Sequence, residues 1–231
     1  MSEISPLERV WQHREEEVYP SLFGATSRGT FVLSGELFTG VFAQETYDPR
    51  WLHFGVIEFA PTENRQSWLY VSSGASNPWE LDPVEYGDSE FSGFGTELVL
   101  EVPEQADWAI IILQRILAFN ILLAHGRYGE KPALDYGDRV PLRAPITLEG
   151  DSLIQNLVIA KPTGYADHFD LESGRVDLLL LVGATDREID FAKEHGSSEL
   201  CERLLVAGFS PVTRPDRQEL SEIGPAGSGR V

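Results

Sequence analysis

Apolar and polar positions alternate most plainly in T-E-L-V-L-E-V at 96–102, where Leu98, Leu100 and Val102 share one face and Glu97 and Glu101 the other. A period of two predicts a strand, with the two carboxylates on a solvated face. Crowded apolar runs predict further strands at 30–33, 51–59 and 67–72, and W-L-Y-V-S-S reads as buried. From 108 to 124 the chain lacks both Gly and Pro and is apolar nearly all round. That pattern predicts a central helix lying in the core, capped by Asp107 and stopped at Gly126.

Around this centre the pattern is more broken. A polar, helical segment at 7–17 leads to a turn at Tyr19-Pro20, and a loop rich in Gly, Pro and Asp fills 126–145. Strands follow at 154–160, 168–171 and 176–182, with Glu172-Ser173-Gly174 turning the second of these back into the third. Thr185 to Glu188 has capping-box spacing and opens a helix through Lys193. Gly196 ends it, and Ser197 or Ser198 caps another that runs to Ala207 before Gly208. Residues 1–217 thus read as one α+β domain, a mixed β-sheet packed against a long central helix and flanking helices. Residues 218–231 are Gly, Ser, Pro and charge with almost no apolar anchor, which predicts a disordered tail.

Composition narrows the setting. Of the 231 residues, 42% are hydrophobic and 24% charged, a balance that supports a sizeable core. The single cysteine, Cys201, excludes an intramolecular disulfide. The charged N-terminus lacks the apolar stretch of a signal peptide. The most apolar run, 110–124, is shorter than the roughly 20 residues of a membrane span and is interrupted by Gln114, Arg115 and Asn120. No membrane partner is expected, and the cytoplasm follows by elimination. A formal charge of −19 repels phosphate backbones, so no nucleic-acid partner is expected either. Acidity serves solubility first, and it also suits a basic protein partner.

Candidate chemistry is thin. His13, His53, His125, His168 and His195 are scattered, without paired-histidine metal spacing. Asp167-His168-Phe169-Asp170 reads as a polar strand edge more readily than as a metal cluster. Ser92 to Gly95, S-G-F-G, precedes a strand, whereas phosphate-cradling loops precede a helix N-terminus. Cys201 sits among Leu200, Leu204 and Leu205 and reads as a small core residue. No cofactor or metal is expected. The alternative to a binding domain is a small-ligand or hydrolytic domain drawing on His53, His125, His168 and nearby carboxylates.

Six blocks carry a family resemblance by their order: LYVSSGASNPWE (69–80), SGFGTELVLEV (92–102), DWAIIILQRILAFN (107–120), LDYGDRVPL (134–142), LVIAKPTGYADHFDLESGRVDLLLLVGATDREI (157–189) and PVTRPD (211–216). Together they resemble the Suppressor of fused domain, and residues 11–55 are similar to the N-terminal part of its bacterial members. The resemblance implies a protein-binding domain with the fold of that family's N-terminal lobe. In the animal members two lobes hold a short Gli peptide as an added strand, and only the first lobe is matched here. The bacterial single-domain members are similar to proposed immunity proteins, which implies a toxin as partner, and an acidic chain suits a basic toxin domain. Carried over, the family's peptide-contacting tyrosine falls on Phe119, which keeps the ring and loses the hydroxyl. Its Gly-Asp-His loop falls on Gly137, Asp138 and Arg139, with Arg in place of His. Phe119, Gly137 and Asp138 are therefore the candidate partner-binding residues.

Overall fold

The computed structural model describes residues 4–221. Ser5 opens the first helix with a reciprocal capping box: the Glu8 amide donates to Ser5 Oγ, and the Ser5 amide donates to the Glu8 carboxylate. The expected turn at Tyr19-Pro20 does not form. Helix α1 (Pro6–Gln12) passes through a π-helical stretch (His13–Val18) into α2 (Tyr19–Phe23) without a break. Pro20 directly follows the π-helical stretch, where the Tyr19 amide reaches back five residues to the Arg14 carbonyl and the shifted register accommodates a residue without an amide hydrogen.

Four strands follow: β1 (Thr26–Val32), β2 (Gly55–Phe59), β3 (Trp68–Ser73) and β4 (Phe91–Val102). The central helix α3 (Asp107–Ala124) comes next, then β5 (Arg139–Pro141), β6 (Asn156–Ala160), β7 (His168–Leu171) and β8 (Gly174–Ala184). Helices α4 (Asp186–His195) and α5 (Ser197–Val206) close the series. The strands form one mixed sheet in the order β1-β2-β3-β4-β8-β6-β5, with β7 pairing the start of β8. β4 and β8 run parallel and every other pairing is antiparallel. β1 and β5 are the edges.

Strand alternation sorts the core onto two faces. Val56, Tyr70, Leu98, Leu100, Leu179 and Leu181 pack under α3. Ile57, Leu69, Val71, Val99, Leu178 and Leu180 face the N-terminal helix and the α4–α5 pair. Packed on β2, β3 and β4 and against the π-helical turn at Leu37–Val41, α3 is mostly buried, although it is long and apolar enough by composition to cross a membrane.

Asp107 does not cap α3. The cap residue is Ala106, whose amide donates to the Tyr70 hydroxyl at 2.8 Å, while Asp107 pairs with Arg28. β5 also lies within the stretch expected to be a loop. Its three residues follow the Gly137-Asp138 turn and end on Pro141, turn-type residues that hide a strand this short, and a proline is tolerated there because β5 is an edge.

The two-sided cover also overturns the expected solvated face of β4. Glu97 and Glu101 are buried, 0% and 4% exposed. Glu97 accepts from the amides of Gly74 (3.0 Å) and Ser76 (2.9 Å) and from the hydroxyls of Ser76 and Ser72. The fully buried Arg14 lies 3.8 Å away and donates to Ser76, Asn77 and Ser73. This network fastens the N-terminal helix to the loop after β3. Gly93, at φ 57, lets that loop lie close, since a Cβ there would stand 2.5 Å from the Ala75 carbonyl oxygen. The glycines of S-G-F-G therefore serve backbone packing.

At the C-terminal end, the Arg217 guanidinium donates two bonds to the Glu188 carboxylate, at 2.7 and 2.5 Å, both residues buried. The Leu220 amide donates to the same carboxylate and its side chain joins the core. Gln218 to Ser221, the start of the expected tail, thus run along the domain, and 222–231 lie outside the described residues.

Candidate partner-docking groove

Helix α3 buries most of its circumference, but Ile111, Arg115 and Phe119, spaced four residues apart, form an outward stripe. Phe119 is half-buried and packs its ring 5.3 Å from that of Tyr128 in the loop beyond the helix. Between this stripe and edge strand β5 runs a groove of about 520 Å³. Ile112, Arg115, Ile116 and Phe119 make one wall, and Val140 to Pro145 with Leu148 make the other. Val41 to Ala43 close one end, at the finish of a π-helical turn (Leu37–Val41). Val41 and Arg115 also border a second, shallower depression that reaches Val32 at the end of edge strand β1.

This surface is apolar where solvent would be expected to select polarity. In the groove Val41 is 54% exposed and Tyr128 40%, and in the adjoining depression Val32 is 57% and Ile111 38% exposed. A contiguous exposed apolar patch of this kind marks an interaction surface more than scattered exposed side chains do.

The candidate residues are not all brought to one place. Phe119 lines the groove, whereas Gly137 and Asp138 form the turn that leads into β5 and line no part of it. Gly137, at φ 84, donates its amide to the Ile159 carbonyl at 2.8 Å. Asp138 is exposed, with its carboxylate accepting from the Asp135 amide at 2.9 Å and its carbonyl from the Ile159 amide. They place β5 against β6, and so set the second wall. Arg115, Tyr128, Arg143 and Leu148 were not among the candidates. Arg115 did leave a signal, as the one charge inside an otherwise apolar run.

The histidines have separate surroundings. His53 stacks among Trp11 and Trp79, His125 packs on Trp51 and Phe94, and His168 meets Asp167 at 2.7 Å. Among the described residues no group of three or more His, Cys, Asp or Glu is placed to hold a metal ion. Burial pushes the Cys201 thiol up to about 11, away from thiolate reactivity.

A second cavity, of about 400 Å³, lies on the opposite face beside Glu101, Tyr165, Arg65 and Arg214. Glu101 accepts from the Ser67 hydroxyl through one oxygen. Its other oxygen and the Tyr165 hydroxyl are buried without a partner among the described residues. Burial holds the Glu101 carboxyl above the usual carboxylate range, against the pull of Ser67 and Arg65.

The sheet order, with its single parallel pair and helices on both faces, defines an α+β domain of the Suppressor of fused fold. A chain in the crystal structure described as the Sufu–Fu complex superposes with a TM-score of 0.63 at 22% identity, covering 94% of this chain and 92% of that one. A SUFU homolog from Neisseria gonorrhoeae FA 1090 gives 0.56 at 18% identity, covering 93% and 94%. Drosophila Suppressor of Fused gives 0.50 at 22% identity over 65% of this chain and 38% of its own. No curated protein matches significantly. Residues 50–218 match the family described as Suppressor of fused protein, and the chain belongs to that family.

Proposed function

We propose that the chain is a non-catalytic protein-binding domain that seats a segment of its partner in the groove between α3 and β5. The observation that carries this reading is the groove itself. It joins exposed apolar side chains to an open sheet edge, the two features by which a domain captures a peptide. A protein of the same fold has been crystallised in a complex described as Sufu–Fu, which supports protein binding as the work of such a domain. In its finer form the partner is a toxin domain and the chain an immunity protein acting in the cytoplasm. The net charge of −19 supports a basic toxin body, drawn in by long-range attraction.

The test is co-purification of the tagged chain with the product of the adjacent open reading frame. A stoichiometric complex that Phe119→Asp abolishes, with the variant still folded by circular dichroism, is the expected result. A complex indifferent to that substitution would remove the groove from the account.

A second reading rests on the Glu101–Tyr165 cavity, whose two unpartnered buried polar atoms would suit a small ligand with hydrogen-bond donors and acceptors. Thermal-shift screening tests it directly, since a ligand at 100 times its Kd stabilises by about 2.7 kcal/mol. A flat screen would discard it.

A further inference from the structure

The charge around the groove runs against that of the molecule. The chain carries 37 Asp and Glu against 18 Lys and Arg, yet among the described residues no carboxylate lines the groove, while Arg115 and Arg143 do. Most arginines elsewhere are paired: Arg28 with Glu58 and Asp107, Arg50 with Asp48 and Glu80, Arg175 with Asp177, Arg203 with Glu199, Arg217 with Glu188. Beside the second cavity Arg65 donates to the Ser67, Phe23 and Ala60 carbonyls instead, and Arg214 has no ion pair among the described residues. Arg115 and Arg143 have no ion pair among the described residues. Nor do Arg127 and Arg139, the residues before Tyr128 and Val140. With acids outnumbering bases two to one, unpaired arginines gathered at one apolar site mark a place where the counter-charge comes from outside.

We infer that the groove takes an acidic, apolar segment of a protein partner. Its apolar side chains seat against Ile116, Phe119 and Leu148, and its carboxylates meet Arg115 and Arg143. The guanidinium fork suits a carboxylate because two parallel N–H groups match its two oxygens. The groove's apolar walls lower the local dielectric and strengthen each such contact relative to open water. Glu36, which lines the neighbouring depression, limits the acidic preference to the groove side of Arg115. A basic segment would place like charges together at contact, where steering by the distant acidic surface no longer helps. The net charge and the groove thus act at different ranges, the first on the body of a partner and the second on the segment it inserts.

This inference rests on the groove being the docking surface, and its test separates the two. A random peptide display library is selected against the folded full chain, against Phe119→Asp and against the double charge reversal Arg115→Glu with Arg143→Glu. Expected are peptides that need Phe119 and combine Leu, Ile or Phe with Asp or Glu. Their synthetic forms should bind the double variant about tenfold more weakly or worse, and selection on that variant should turn toward Lys and Arg. Should the double variant melt early, Arg139→Glu on the exposed edge strand replaces it with the same expected direction. Phe119-dependent peptides that are basic, or that ignore charge reversal, would overturn the inference and leave the docking groove standing. A selection with no Phe119-dependent peptide would overturn both.

Discussion

Replacing Arg14 by methionine would leave Glu97 buried without its cation, and Ser76 and Asn77 without a donor they now use. Breaking a buried pair from one side costs about 3–5 kcal/mol, a loss that urea denaturation of the Arg14→Met variant should show. An effect within the range of a surface substitution would mean that the network is dispensable. Glu101 gives a prediction of opposite character. Its carboxyl holds its proton longer in the folded chain than in the unfolded one, because burial penalises the charge. Such a group contributes stability that is fully present below its unfolded pKa and is lost as pH rises through its folded value. Glu101→Gln has no proton to lose, so its Tm should gain on the parent as pH rises above the ordinary glutamate range. A gap that does not change with pH would contradict the burial argument. At this scale the sequence was partly legible. Alternation put Glu97 and Glu101 on the right face, but nothing local shows that a helix folded from the N-terminus covers that face and brings Arg14 to it. Phe119, Gly137 and Asp138 came from the family resemblance.

Among the elements, the start of α4 shows how a local signal acquires a distant role. Thr185 and Glu188 form the capping box that their spacing predicts, and Glu188 also holds Arg217 and the Leu220 amide. Thr185→Ala should cost about 1 kcal/mol, the usual worth of an N-cap. Glu188→Ala should cost roughly 3–5 kcal/mol, because it strands a buried arginine as well. Equal losses in the two variants, compared by chemical denaturation, would show that the Arg217 pairing adds nothing. Helices α3, α4 and α5 and strands β3, β6, β7 and β8 were legible because each has its own period, cap or glycine stop. Strand β5 was not, since three residues flanked by turn formers carry no period, and its pairing is set by β6. The continuous N-terminal helix was also missed, because Pro20 reads as a break, and only the preceding π-helical stretch, with its shifted hydrogen-bond register, accommodates it.

Taken whole, the molecule is a sheet covered by helices on both faces, and an uncovered apolar groove lies on the outer side of α3 beside an open edge. The fold class was readable from the order of elements and the family from the order of motifs, because both survive when single positions change. The groove was not readable, since β5 and the loop at Tyr128 carry no period of their own and only the fold brings the turn at Val41, far earlier in the chain, beside α3. Its role is the central claim, and hydrogen exchange on the purified complex with the partner addresses it most directly. Slowed exchange confined to residues 111–119 and 137–145, with the α4–α5 face unchanged, is the predicted result. Protection centred on α4 and α5, with the α3 groove exchanging as in the free chain, would contradict it.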